Sequence, residues 1–597
     1  MSPVKYARGR CASTVALGGP ADELDLVSKA LGPLPIINCF LDRLRLDRLF
    51  EKFVPCEDRR LKLPPAVGLG VLVRNVLTAR QPLYGLSEWA QRFDERLLGL
   101  APGSADLLND DRAGRCLDYL FAANRSALMT ELVIHALKAY DIDVEELHND
   151  STTVTFTGQY PDARGQDHKG RPTHRITHGH NKDHRPDLKQ LLWVLTTTAD
   201  GGVPIWCSVD HGNTNDENTH IETWDTLRRL VGNPRFLYVA DCKLCTKENL
   251  AHIAGNGGRF VTVLPKTRAE DKWFRDWLQA HSPDWRELLR KPNARSIDKP
   301  DNVYRGFESP ARSVEGYRIL WIWSSQKEEL DREIRQSCIE RGIRGLEDLR
   351  TRTTSPRTRL RTREQIEQAV AAVLEQARAA RWLVTEIVTF EEHRFKQATR
   401  GRPSADTQYL RDIKPRFDIH WKSNADTLQY DDRTDGIFPL IVNDEKLSPR
   451  EALLAYKHQP CLEKRHEQFK TVYEVMPVNL KNHMRVEAFL FVYFVALLVE
   501  SLIERAVRRR MTEQRIPRLP LYPEGRPCTA PSANRIFDLF RDVRRHRLVD
   551  ADGVTRQRFY DDLTDLQRTV LRLLGQSPAD YLGAGEDERA ERPRARA

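Results

Sequence analysis

LHNDSTTVTFTG, Leu147 to Gly158, opens polar and then alternates threonine with valine and phenylalanine. That is the period-two pattern of a half-buried strand. VEELHNDSTTVTFTG (144–158), LKQLLWVLTTTA (188–199) and VPIWCSVD (203–210) read as three consecutive strands, with the Asp-Gly-Gly of TADGGVP as a hairpin signal between the last two. NDENTHIETWDTLRRLVG (215–232) reads as a helix, FLYVAD (236–241) as a buried strand, TKENLAHIAGNG (246–257) as a short helix and RFVTVLP (259–265) as another strand. The order βββαβαβ is a meander feeding a mixed sheet flanked by helices, an α/β layout.

Outward from this core, the chain divides by composition. Residues 1–140 space their apolar positions helically, as in LPIINCFLDRLRLDRLFEKFV and SALMTELVIHALKAY. Such a helical domain either binds DNA ends or packs against its neighbour, and no recognition-helix signature separates the two. The first part of the core takes residues 141–265. An insertion, 266–430, opens loop-rich at KPNARSIDKPDNVYRGFESPARS and holds strands YRILWIWSS, RWLVTEIVTF and RFDIHW. Its one strong helix is REQIEQAVAAVLEQARAAR, with Ile366, Val370, Val373, Leu374 and Ala377 on one face. Arg344, Arg350, Arg352, Arg357, Arg359, Arg361 and Arg363 precede or begin that helix, as a solvated loop or as a phosphate-tracking patch. The core resumes over 431–510 with strand DGIFPLIVND, a helix capped by Ser448 with Pro449 first, and the apolar helix RVEAFLFVYFVALLVESLIERAVRRR. Residues 511–597 are basic, with a helical stretch near Asn534 to Arg545 and a disordered tail.

The 597 residues are 40% hydrophobic and 30% charged, and 94 Lys and Arg against 85 Asp and Glu give +9. This suits a globular protein with a polyanionic partner without demanding one. Ten cysteines are too sparse for a disulfide scaffold. No apolar leader segment stands at the N-terminus, and the longest apolar run, Ala488 to Val499, falls short of the roughly 20 residues of a membrane span. A membrane role is not expected.

Three carboxylates carry the chemical signal. Asp150 lies in the first strand, Asp241 ends FLYVAD, and Glu463 lies in YKHQPCLEKRHEQFK. Taken singly, each has a bland reading: an aspartate after a strand often caps the next turn, and a glutamate in a charged helix usually faces solvent. Brought together, they are hard oxygen ligands for two divalent ions roughly 4 Å apart, the arrangement for phosphoryl transfer.

With these motifs in order, the chain resembles bacterial insertion-sequence transposases of the Asp-Asp-Glu class. It is most similar to the group with the signature Y-x2-R-x3-E-x6-K and a β-rich insertion in the catalytic domain. GHNKDHRPDLKQ (179–190), YVADCKLCTKENL (238–250) and DGIFPLIVND (435–444) resemble segments of that group, and the resemblance covers about Leu34 to Arg510. It implies a ribonuclease H-like core, whose opening strand order is the one read above, interrupted by the insertion. It implies Asp150, Asp241 and Glu463 as catalytic, metal-binding residues for two Mg²⁺ or Mn²⁺ ions. Tyr456 and Lys470 match the signature residues that contact DNA. Double-stranded DNA, both the inverted-repeat ends and the target, would be the partner, bound by a homodimer in the bacterial cytoplasm. Gln459 replaces the signature arginine and lacks its charge and fork geometry. Pro460 follows and starts or breaks a helix, which places Tyr456 on the preceding one. Glu467 rivals Glu463 as third acid, but the spacing to Tyr456 and Lys470 favours Glu463.

Three other readings stand beside this one: a ribonuclease H-like nuclease without strand transfer, a catalytically inactive DNA-binding derivative, and a zinc module. The last would use His168, His174, His178, His180 and His184, whose spacing matches no zinc pattern and reads better as a polar loop. Cys242-x2-Cys245 lacks a second pair and reads as incidental.

Overall fold

The computed structural model describes residues 24–583 except 57, 59, 169, 294–299, 356–357 and 473–479. The basic N-terminal stretch and the charged tail therefore lie outside the described residues. Along the chain, strand β1 (Asp25–Ala30) precedes helices α1 (Leu34–Arg43), α2 (Leu46–Phe53), α3 (Pro65–Thr78), α4 (Asp110–Ala122) and α5 (Arg125–Tyr140). Then come β2 (Glu146–Phe156), β3 (Lys189–Thr198), β4 (Pro204–Asp210), α6 (His220–Val231), β5 (Leu237–Ala240), α7 (Lys247–Gly255) and β6 (Arg259–Val263). The next stretch holds α8 (Ala269–Ala280), β7 (Arg286–Lys291), β8 (Asn302–Glu308), β9 (Arg318–Ser324), α9 (Ser325–Thr354), α10 (Arg363–Ala377), β10 (Leu383–Gln397), β11 (Tyr409–Ser423) and α11 (Ala425–Thr434). Last are β12 (Ile437–Val442), α12 (Pro449–Tyr456), α13 (Gln459–Glu467), α14 (His483–Glu513), α15 (Ala533–Phe540), β13 (Arg544–Val549), β14 (Thr555–Tyr560) and α16 (Asp565–Leu573). The chain is mixed α/β, with a large mixed sheet flanked by helices.

Two compact units form, each discontinuous in sequence. Unit 1 takes residues up to Val144, Asp150–Thr214 and the chain from Cys461; unit 2 takes Glu145–Asn149 and Asn215–Pro460. Strand β2 thus serves both.

In unit 2 the strand order from β2 is β2-β5-β6-β12-β9-β8-β7. β2, β5 and β6 are parallel, and β5-α7-β6 is a crossover unit. The remaining strands are antiparallel. Alternation sorts the sheet's side chains. Leu320 and Ile322 pack with Leu440 and Val442 against Ala452, Leu453 and Ala455 of α12. Ile319, Trp321 and Ile437 pack against Phe274 and Leu278 of α8, with the Phe274 and Trp321 rings stacked at 3.8 Å. Helix α12 starts as its sequence requires: Ser448 and Glu451 form a reciprocal capping box, and Pro449 opens the first turn. A second core joins Ile339, Leu346 and Leu349 of α9 to Ile366, Val370 and Leu374 of α10 and to Phe417 and Ile419 of the long β10–β11 hairpin.

The arginine-rich stretch is divided between helix and loop, with Arg359 and Arg361 exposed in the connection between α9 and α10. Arg344, Arg350 and Arg352 lie on α9, whose buried Cys338, Ile339, Gly342, Leu346 and Leu349 recur at helical spacing. Arg350 forms a two-pronged pair with Asp418 at 2.6 and 2.7 Å, and Arg363 pairs with Glu367 at 2.9 Å. Arg357 lies outside the described residues.

Unit 1 orders its sheet strands β4-β3-β2 and gathers α1, α3, α4, α15 and α16 around α14. Helix α14 is long and apolar enough to cross a membrane, but 94% of its most apolar window is buried in the protein, so it packs as a core helix. Two of its buried charged side chains are tied in place. Glu504 accepts from Arg465 at 2.9 Å, and Arg505 reaches the carbonyls of Tyr140 and Asp141 at 2.8 Å. The C-terminal stretch expected to be helical also carries a hairpin, β13–β14, and β1 pairs with β13.

Candidate active site

In unit 2, β2 and β5 run in parallel register to the pair Asn149↔Ala240. Asp150 continues β2, and Asp241 directly follows the last residue of β5. Asp241 is half-buried and caps the turn that follows, its carboxylate accepting from Lys243 N at 3.0 Å. Its carbonyl accepts from Thr262 Oγ1 at 2.6 Å, which fixes the strand end. Cys242 and Cys245 are free thiols; burial pushes Cys245 up to about 12, and burial with the charge of Asp241 raises Cys242. Neither is poised as a nucleophile. Tyr456 ends α12, half-buried, with its ring 5.9 Å from that of Phe438.

Unit 2 also joins residues from the start of β2 to the link between α12 and α13. Glu146 Oε1 lies 2.9 Å from His148 Nε2 and 2.7 Å from His458 Nδ1. Gln459 is buried, with Oε1 3.2 Å from His148 Nδ1 and Nε2 donating to the Asn149 carbonyl at 3.4 Å. Its amide is thus turned inward, where the signature arginine was expected to meet phosphate. Burial alone would raise Glu146, but hydrogen bonds from His148 and His458 outweigh it and hold the carboxyl down at about 2.

In unit 1, Asp150 is three-quarters buried and sits among basic groups. Lys182 Nζ is 3.5 Å from Oδ1, His466 Nε2 is 3.7 Å from Oδ2, and Ser151 N donates to Oδ1 at 2.8 Å. Lys182 also donates to the carbonyl and hydroxyl of Ser151, at 2.6 and 2.8 Å. Lys470 pairs with Asp183 at 2.5 Å. GHNKDHRPDLKQ therefore supplies the two residues that meet Asp150 and Lys470. Trp193 stacks on Phe469 at 3.9 Å and meets the His466 ring edge-on at 6.0 Å. Burial, followed by the charges of Lys182 and Lys470, pushes His466 down to about 3, so its imidazole is neutral at physiological pH. Helix α13 is anchored by Arg465, which donates to the carbonyls of Gly201 and Gly202 at 3.0 and 2.9 Å. Both glycines have positive φ, as the Asp-Gly-Gly turn requires.

Pro460 is the second residue of α13 and Glu463 the fifth. At 3.6 residues per turn, Glu463 lies about 40° and Glu467 about 80° from Gln459 around the axis, with His466 on the near side. Both glutamates are exposed. The five histidines of 168–184 do not gather into a ligand set among the described residues: His174 bonds Glu487 at 3.0 Å, and His168 lies against Phe121.

Sequence reasoning passed over Lys182, His466, Glu146, His148 and His458. His148 and Glu146 share the strand face of Asp150 at period two, and His466 follows Glu463 by one helical step, so both signals were present in the chain.

Residues 26–134 match a family model described as a domain of unknown function, DUF4277. No curated protein matches the chain. The matched segment runs from β1 through α4 and most of α5 in unit 1 and contains none of the three candidate acids.

Proposed function

We propose that the protein is a DNA transposase of the Asp-Asp-Glu class with a ribonuclease H-like core, which cuts the ends of its own mobile element and joins them to target DNA. The observation that carries this reading is the Asn149↔Ala240 register, because Asp150, continuing β2, and Asp241, directly following β5, come next after that pair. The helical phase of α13 supports Glu463 over Glu467 as the third acid. The donor set is all carboxylate and at least partly open to solvent, which suits a hard cation. Two Mg²⁺ or Mn²⁺ ions on Asp150, Asp241 and Glu463 would supply Lewis-acid activation when bound. The protein's own groups do the rest. Lys182 offsets the charge of Asp150, neutral His466 and Trp193 form a dry wall behind it, and Tyr456 and Lys470 contact the DNA backbone. Water attacks a phosphodiester in line, leaving a 5′-phosphate and releasing a 3′-hydroxyl; that hydroxyl then attacks a target phosphodiester and displaces the target strand's 3′-hydroxyl. A cytoplasmic homodimer would hold two element ends.

A duplex carrying the inverted repeats that flank the gene, incubated with the full chain and Mg²⁺ or Mn²⁺, tests this. Wild type is expected to nick and join it. Asp150→Ala, Asp241→Ala and Glu463→Ala are each expected to lose about a thousandfold or more in rate, as for groups that act as one unit. Cleavage retained by Glu463→Ala and lost by Glu467→Ala would move the third acid. Full strand transfer by all the aspartate variants would end the reading. Inward-facing Gln459 favours a second reading, an end-binding protein that does not cut, for which wild type binds the duplex and leaves it intact.

A further inference from the structure

Glu146, His148 and His458 belong together in unit 2 and take no part in the proposed DNA chemistry. The three ligand atoms lie within 4.8 Å of one another. Both imidazoles point a ring nitrogen at the same oxygen, Glu146 Oε1. Gln459 then decides what lies between them. Its Nε2 donates to the Asn149 carbonyl, so its Oε1 faces His148 Nδ1 as a hydrogen-bond acceptor. With Nδ1 turned to Gln459, Nε2 is aimed at a carboxylate oxygen only 2.9 Å away. An imidazole nitrogen and a carboxylate oxygen at that distance are bridged by a proton or by a metal ion.

The second arm points to the metal. His458 approaches the same oxygen from the α12–α13 link with Nδ1 at 2.7 Å, and its ring crosses that of His148 edge-on at 6.0 Å. Two imidazoles and a carboxylate form a ligand set that zinc uses with a fourth position left for water. A glutamine carbonyl on the far nitrogen of a ligating histidine is the outer contact that fixes its tautomer. His148 is buried, and His458 is half-exposed and leaves an approach from solvent. We propose that Glu146 Oε1, His148 Nε2 and His458 Nδ1 bind one Zn²⁺-class ion, which clamps the start of β2 to the link between α12 and α13. The clamp falls two residues before Asp150 and five before Glu463 in the chain. It does not depend on what those acids do.

Co²⁺ binding to the chelator-stripped full chain is the test, read by the visible absorption of the tetrahedrally coordinated ion and by displacement with Zn²⁺. Wild type is expected to take up one equivalent with that spectrum. His458→Ala, whose side chain is half in solvent, is expected to keep the wild-type circular dichroism and melting temperature of the metal-free protein and to lose the band. Glu146→Gln is expected to lose it as well, and Gln459→Ala to weaken binding about 10- to 100-fold. Asp150→Ala is expected to retain the band. The proposal is overturned if wild type takes up no Co²⁺ or Zn²⁺, in which case a proton holds the three groups together. It is equally overturned if His458→Ala binds as wild type does, or if Asp150→Ala abolishes the spectrum.

Discussion

His148 and His466 are both buried imidazoles, each on an element that carries a candidate acid, yet their surroundings are opposite. His148 has a partner for each nitrogen, Gln459 on one side and Glu146 on the other. His466 has Nε2 3.7 Å from Asp150, no hydrogen bond of ordinary length at either nitrogen, and an aromatic ring at its side. The first is held by polarity and the second by shape. A fully paired imidazole fixes the positions of the groups around it. A neutral imidazole packed on an aromatic ring keeps water from whatever charge stands beside it, here that of Asp150.

This contrast yields a graded set of outcomes. His148→Phe is expected to cost most, about 2–4 kcal/mol in urea denaturation, because it leaves Glu146 and Gln459 with unmet polar atoms. A cost below about 1 kcal/mol would erase the distinction. Next is the acid limb of stability. The carboxyl of Glu146 sits at about 2 in the fold against 4.5 for the ordinary group. Its contribution is therefore complete above about pH 4.5 and is lost as pH falls toward 2. Glu146→Gln, measured in chelator, is expected to flatten that limb by about 2 kcal/mol, after allowing for partial solvent screening. An unchanged pH profile would show that the two histidines do not hold the carboxylate. Gln459→Ala is expected to cost about 1 kcal/mol, one hydrogen-bond partner's worth. His466→Phe should change stability by less than about 1 kcal/mol at neutral pH, since the new ring keeps the packing against Trp193. If its cost matches that of His148→Phe, His466 has partners in solution that its geometry does not suggest.

How much of this was legible depended on distance along the chain. The strands at 146–156, 189–198 and 204–210, the helix at 220–231 and the capping box at Ser448 and Glu451 follow from local periodicity and local hydrogen bonding, and the structure has them where the sequence put them. Helix α9 was missed although Ile339, Gly342, Leu346 and Leu349 mark a buried stripe. Its dense charge hid the period, and the arginines drew attention to phosphate rather than to Asp418 and Glu367. The β13–β14 hairpin was missed although Asp552-Gly553 is a turn signal, because its strands read as basic coil. The Glu146–His458 contact joins residues 312 positions apart, and no local pattern announces it. Lys182 was quoted inside a recognised segment without a role, since its meeting with Asp150 depends on how the 179–190 loop returns to β2.

The anchor between Arg465 and the Gly201–Gly202 carbonyls has a consequence for the order of assembly. The β3–β4 hairpin closes over a few residues and forms early, whereas Arg465 arrives 263 positions after Gly202. Unit 1 also waits for α14 to fill its centre, while every strand of unit 2 lies before Pro460. On the ribosome, therefore, Asp150 emerges long before the helix that carries Glu463 can dock, and unit 2 has all its residues first. In a nascent chain, therefore, both aspartates are made well before α13 can seat on the Gly201–Gly202 turn.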